Sequence, residues 1–234
     1  LESPSNPTME IVDIASVVKI AHHHNALVIV DNILASPVLQ KPMEFGADIV
    51  VYSGTKHIDG QGRSLGGAIL SSKKQYEEYI KPFIRHTGPS ISPFNAWLLL
   101  KGLETLKHRM DQHCSNALKV ADYLSQHPKV EKTIYPGLKD HPQHALASKQ
   151  MSQGGSIVTF VIKGNNAFKF MNELNIIDIS NNLGDTKSLV THPATTTHRV
   201  IGEEGRKKLN IPDTMIRLSI GLEDVDDLIE DIDA

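Results

Sequence analysis

Near the amino terminus the apolar residues Ile11, Ile14, Ala15 and Val18 recur at i, i+3, i+4 and i+7. That is the stripe of a helix laying one face on a core, and Asn6 or Thr8 stands where its cap is needed. The next apolar runs lose that period. "ALVIVD" (Ala26 to Asp31) and "ADIVVYS" (Ala47 to Ser53) are nearly continuous and carry several β-branched side chains, the pattern of strands buried on both faces. A helix ahead of two such strands predicts an α/β fold with a mostly parallel sheet and flanking helices. Ligands of such sheets gather beyond the carboxyl ends of the strands, which places Asp31 and the segment 53–56 on one edge.

Gly60, Gly62, Gly66 and Gly67 then punctuate the chain before a further strand, "GGAIL", and allow tight turns after Lys56. Ser92 and Pro93 form an N-cap and first-turn pair. The helix they open continues as "FNAWLLLKGLETLKHRMDQHCSNALKVADYLSQ", either whole or broken near Gly102. Beyond it, "SIVTFVI" (Ser156 to Ile162), a short helix from Ala167 to Leu174 and "MIRLSIG" (Met215 to Gly221) predict a second, smaller α/β unit. The expected domains are 1–115 and 116–234, divided within the long helix. The polar, turn-rich stretch Tyr135 to Gly155 reads as a surface connection containing a short helix. At the end, "EDVDDLIEDIDA" sets Val225, Leu228, Ile229 and Ile232 on one helical face with acids opposite.

Composition narrows the class of partner. With 234 residues, 40% of them hydrophobic, the chain can bury a sizeable core. A net charge of -3, without a long basic run, offers no broad attraction for nucleic acid or an anionic membrane. Cys114 is the single cysteine, so no internal disulfide can form, and no apolar run approaches the roughly 18 residues that span a bilayer. These features point to a reducing, soluble compartment, the cytoplasm. The opening "LESPSNP" has neither an initiator methionine nor the layout of a signal peptide, so the chain is expected to be part of a longer one.

Within "VVYSGTKHIDGQGRSLGG", Lys56 comes just after a buried strand and is flanked by Ser53, Gly54 and Thr55. The plain reading is a surface lysine. Two hydroxyls beside a glycine can instead hold a phosphate, and a lysine partly shielded from water forms a Schiff base with an aldehyde more readily. Asp31 ends the neighbouring strand, where it either caps the next segment of chain or pairs with a cation such as a protonated pyridine nitrogen.

The motifs "ESPSNP", "LVIVDN", "YSGTKHIDGQGR", "NNLGDTKSLVTHPATTTH" and "IRLSIGLEDVDDLIEDI" together resemble the Cys/Met-metabolism family of pyridoxal-phosphate enzymes, of fold type I. The resemblance covers nearly the whole chain in order. Within the family, "DGQGR", "GPSISPFNAWLLLKGLETL" and "NNLGD" are most similar to the O-succinylhomoserine sulfhydrylase branch.

It implies pyridoxal 5'-phosphate as cofactor, carried by Lys56, with Ser53 and Thr55 on its phosphate, Asp31 on its ring nitrogen and Asn6 near its ring hydroxyl. Arg217 would grip the substrate α-carboxylate with its bidentate fork. Asn182, where many members have serine, would assist it. Tyr52 and His57 depart from the histidine and tyrosine that many lyases and synthases of the family carry around this motif. The implied reaction is replacement of the succinyl group of O-succinyl-L-homoserine by sulfide, giving homocysteine in methionine biosynthesis. Cystathionine γ-synthase or γ-lyase chemistry is the near alternative, and a cofactor-free binding or assembly module the distant one. A homotetramer is implied, as is a missing amino-terminal portion with a phosphate loop and a stacking tyrosine.

Other residues carry less. His22 to His24 are successive on a helix and point about 100° apart, so they do not converge on one ion. His192 and His198 lack a supporting carboxylate or cysteine cluster, Cys114 reads as a packed thiol, and no metal is expected.

Overall fold

Asp13 starts the first helix. In the computed structural model, which describes residues 1–233, that helix covers Ile14–His23, and Asp13 Oδ1 accepts from the Ser16 N–H at 3.0 Å. Neither expected cap serves, because the helix begins only at Ile14, well past both residues, and their side chains are engaged elsewhere. The Thr8 and Ser5 hydroxyls bond each other at 2.9 Å, and Asn6 accepts from Arg217. Ile11 lies outside the helix yet is buried.

The strands form two sheets. Strand β1 (Ile29–Asp31) pairs in parallel with β2 (Ile49–Ser53), Asp31 standing opposite Val51. Strand β3 (Gly67–Ser71) runs antiparallel to β2. The chain reverses through one π-helical turn, Gly54–Ile58, and a glycine-bearing loop, not through the crossover helix that a parallel neighbour requires. The fold is α/β as expected, but this sheet is mixed and not mostly parallel. Nor is β1 buried on both faces: Val30 is 0% exposed and Ile29 48%.

The second sheet contains β4 (Val130–Ile134), β5 (Ile157–Ile162), β6 (Asp178–Ile179), β7 (Leu189–Thr191) and β8 (Met215–Ser219). Their spatial order is β4-β5-β8-β7-β6, with β6 and β7 parallel and the other pairs antiparallel. Every residue of β5 and β8 is buried, which matches their unbroken apolar runs.

One unbroken helix, Pro93–Gln126, passes both sheets, with Ser92 Oγ accepting from the Asn95 N–H at 3.1 Å. Its Leu106, Met110 and Cys114 pack with Ile14, Val30 and Val50, whereas Ala117, Val120 and Leu124 pack with Val158, Phe160 and Leu218. Burial pushes the Cys114 thiol up to about 12, as befits a packed group. The closing helix Val225–Asp233 buries Val225, Leu228 and Ile232 in the second cluster. The stretch 135–155 is more than a surface connection. Tyr135 and Met151 are buried, and Gln150, at the end of the short helix His144–Gln150, accepts from the Ile14 N–H at 2.9 Å and donates to the Val12 carbonyl at 2.9 Å. It straps the start of the first helix.

Candidate active site

Lys56 sits within the π-helical turn after β2, with φ -90° and ψ -131°, outside helical geometry. From there its Nζ donates to Asn182 Oδ1. Burial, and secondarily the Arg217 guanidinium, pull the Lys56 amine below the ordinary lysine range. The lysine is thus biased toward its neutral, nucleophilic form.

Arg217, on the fully buried β8, is 1% exposed. One Nη donates to Asn6 Oδ1 at 3.0 Å, and the other to the carbonyls of Asn181 and Asn182 at 3.1 and 2.9 Å. Its Nε is buried without a partner among the described residues. Burial lowers the guanidinium to about 10 despite Glu2, whose carboxylate opposes the shift. Burial also raises Glu2, which accepts from the Asn6 N–H at 3.2 Å. A guanidinium whose fork rests on neutral oxygens retains the capacity to take a carboxylate.

Asp31 and Ser53 lie at the carboxyl ends of the parallel pair β1 and β2. Asp31 is half-buried, and desolvation raises its carboxyl although Oδ1 accepts from the Ile33 N–H at 3.0 Å. Thr55 Oγ1 accepts from the Gly66 N–H at 3.3 Å. Hydrogen bonds therefore gather Lys56, Asn182, Arg217 and Asn6 into one network, while Asp31, Ser53 and Thr55 line the strand ends beside it. A groove of about 640 Å³, lined in part by Gln61, Gly62, Ser180, Asn182 and Asp185, opens next to that network.

Several supporting residues escaped sequence reasoning. His57 is fully buried. Its Nδ1 faces the Ile33 carbonyl at 3.2 Å and its Nε2 the Ser156 hydroxyl at 2.8 Å. The carbonyl can only accept, so Nδ1 carries the proton and Nε2 accepts from Ser156. The ring thereby ties the Lys56 turn both to the loop after Asp31 and to the second sheet. Gly184, at φ +75°, lets the Asn182 loop approach, since a Cβ there would lie 2.7 Å from His57 N. The sequence showed His57 only as a departure from a motif, and Gly184 only as a member of the "NNLGD" run, with no packing role attached.

The profile described as Cys/Met metabolism PLP-dependent enzyme matches residues 1–234. The chain belongs to that family. Its relatives include an O-succinylhomoserine sulfhydrylase of Mycobacterium tuberculosis, 52% identical over 99% of this chain and 59% of the relative. An L-methionine gamma-lyase of Pseudomonas putida is 44% identical over 99% of this chain and 59% of its own length. Among solved structures, a cystathione gamma lyase from Micromonospora echinospora superposes with a TM-score of 0.97 at 38% identity, over 100% of this chain and 62% of that one. The chain thus spans about 59% of the length of the curated relatives it matches.

This Cys/Met metabolism family depends on pyridoxal phosphate, and the site fits that group on its own chemistry. A partly desolvated lysine faces an amide, two hydroxyls flank a glycine at the strand end, and a half-buried carboxylate at the end of the neighbouring strand accepts from the Ile33 N–H.

Proposed function

We propose that this chain carries the lysine-bearing part of an enzyme that replaces the γ-substituent of an activated homoserine. O-Succinyl-L-homoserine and sulfide would give L-homocysteine and succinate. The observation that carries the reading is the network joining Lys56, Asn182, Arg217 and Asn6 across the two sheets, a lysine amine and a carboxylate clamp bridged by one residue. The 52% identity to a sulfhydrylase and the "DGQGR" run support the choice of reaction.

In this reading Lys56 holds the cofactor covalently, Ser53 and Thr55 bind its phosphate, and Asp31 pairs with its ring nitrogen. When bound, the cofactor supplies an electron sink for charge developing at the substrate α-carbon. Arg217 orients the α-carboxylate bidentately, with Asn6 holding the guanidinium from the other side. Lys56, once free and neutral, takes the proton from the substrate Cα and delivers protons to neighbouring carbons. Asn182 keeps the amine aimed. Homotetramer assembly, a cytoplasmic setting and domains at 1–115 and 116–234 belong to the same proposal. The exposed apolar side chains Leu65, Ile69, Phe83, Phe94, Trp97 and Leu100 call for a cover, which further polypeptide of a longer chain or another copy would supply.

The test uses the full-length protein with pyridoxal phosphate. A visible absorbance band that borohydride reduces, and that Lys56→Ala abolishes, is expected; a wild-type protein with no band refutes the reading. Comparing kcat/KM for O-succinylhomoserine with sulfide against cysteine separates sulfhydrylase from cystathionine synthase. The methionine gamma-lyase relative makes γ-elimination the second reading, and ammonia release from L-methionine without added thiol measures it.

A further inference from the structure

The backbone that presents Lys56 depends on a residue far away in sequence. Gly54–Ile58 is a single π turn interrupted by the non-helical Lys56, so the carbonyls after the lysine must find partners outside the turn. Arg109, halfway along the long helix and 8% exposed, takes them. Its Nη1 donates to the His57 carbonyl at 2.6 Å and its Nη2 to the Ile58 carbonyl at 3.1 Å. Nη2 also donates to the Gly102 carbonyl at 2.8 Å, and Nε to Thr105 Oγ1 at 3.1 Å. The charge is met by carbonyl dipoles, with Asp59 and Asp185 acting from longer range.

Glycines clear the space for this contact. A Cβ on Gly60, which has φ +69°, would overlap Arg109 Nη1, and one on Gly102 would overlap the Ile58 carbonyl. A buried guanidinium is costly to desolvate, and its fork matches several carbonyls in a fixed geometry that an ammonium does not reproduce. Packing alone does not require such a group here; an apolar side chain would fill the volume but leave the carbonyls unpaired.

We propose that Arg109 is a positioning residue for Lys56: by gripping the His57 and Ile58 carbonyls it fixes the non-helical backbone from which the lysine reaches Asn182 and the cofactor. The proposal rests on the reading of Lys56 as the cofactor's attachment point. The Arg109 guanidinium is engaged by Thr105 and the carbonyls of His57, Ile58 and Gly102, not by the residues read as holding substrate or cofactor, so its loss acts on the geometry of the reacting amine and not on substrate affinity.

The experiment compares full-length wild-type protein, loaded with pyridoxal phosphate, with Arg109→Met, Arg109→Lys and Thr105→Val. Steady-state kcat and KM are measured separately, together with the circular dichroism of the visible cofactor band per bound cofactor, a signature of how the cofactor is held. In Arg109→Met kcat falls on the order of a hundredfold, while KM changes by less than about threefold and the visible dichroism drops. Arg109→Lys recovers part of both signals. Thr105→Val, which removes only one orienting bond, shifts both in the same direction by less and serves if Arg109→Met does not fold. The proposal is overturned if the folded variants lose thermal stability alone, with kcat, KM and dichroism as in the wild type. A wild-type protein without a visible band overturns the Lys56 reading and the role of Arg109 with it, whereas a normal band unchanged in every variant overturns only the latter.

Discussion

Arg217 shows how far a single residue's chemistry can be read before its surroundings are known. The family resemblance of "IRLSIG" implies that Arg217 is a carboxylate ligand, a role its bidentate fork suits, and the structure adds that it is buried and braced by Asn6 and two carbonyls. Arg217→Lys keeps the charge but loses the fork, so KM for the amino-acid substrate should rise on the order of tenfold or more. Steady-state kinetics of the full-length protein measure this, and an unchanged KM would remove Arg217 from substrate binding. Lys56 and Asp31 stood out because they follow buried strands among small or hydroxylated neighbours, whereas Arg217 was singled out only through the resemblance of its motif to the family. His57 and Arg109 were not, because they act on backbone carbonyls 24 and 52 residues away in sequence, and no local pattern encodes such a partner.

Among the elements, the long helix was legible from its Ser92–Pro93 start and apolar rows. Its continuity through Gly102 was not. Helix propensity alone favours Gly102→Ala by about 1 kcal/mol. The added methyl, however, would overlap the Ile58 carbonyl beside the Lys56 turn, and overpacking of that kind costs about 1–3 kcal/mol. Packing wins, so Gly102→Ala should lower the melting temperature and kcat together. A melting temperature at or above wild type would show that the helix and turn separate freely. The first helix shows a related limit: Asn6 and Thr8 were adequate caps by type, but the helix begins only at Ile14, Arg217 engages Asn6, Ser5 engages Thr8, and Asp13 takes the role.

Across the molecule as a whole, buried His57 and His113 stack edge to face between the two sheets, their ring centroids 6.0 Å apart. Burial is the main cause of their lowered basicity, to about 3 for His57 and about 4 for His113, against 6.5 for an unperturbed imidazole. The unfolded chain therefore binds more protons in this interval. Stability should be full above roughly pH 6.5 and be lost as pH falls toward these folded values. Melting temperatures of the holoenzyme across that range measure the slope, and His113→Asn, which can still donate to the Ile220 carbonyl, should flatten it; a slope unchanged in that variant would exclude His113 as a source. The α/β class and the strand ends that carry Asp31 and Lys56 were written in the chain itself, because periodicity and turn residues are local properties, and the family showed in the resemblance of its motifs. That β3 returns antiparallel, that Asn182 meets Lys56, and that Arg109 grips the turn emerged with the folded arrangement alone. Those outcomes depend on contacts between distant segments, where a carbonyl or an amide gains its role only from what the fold places against it.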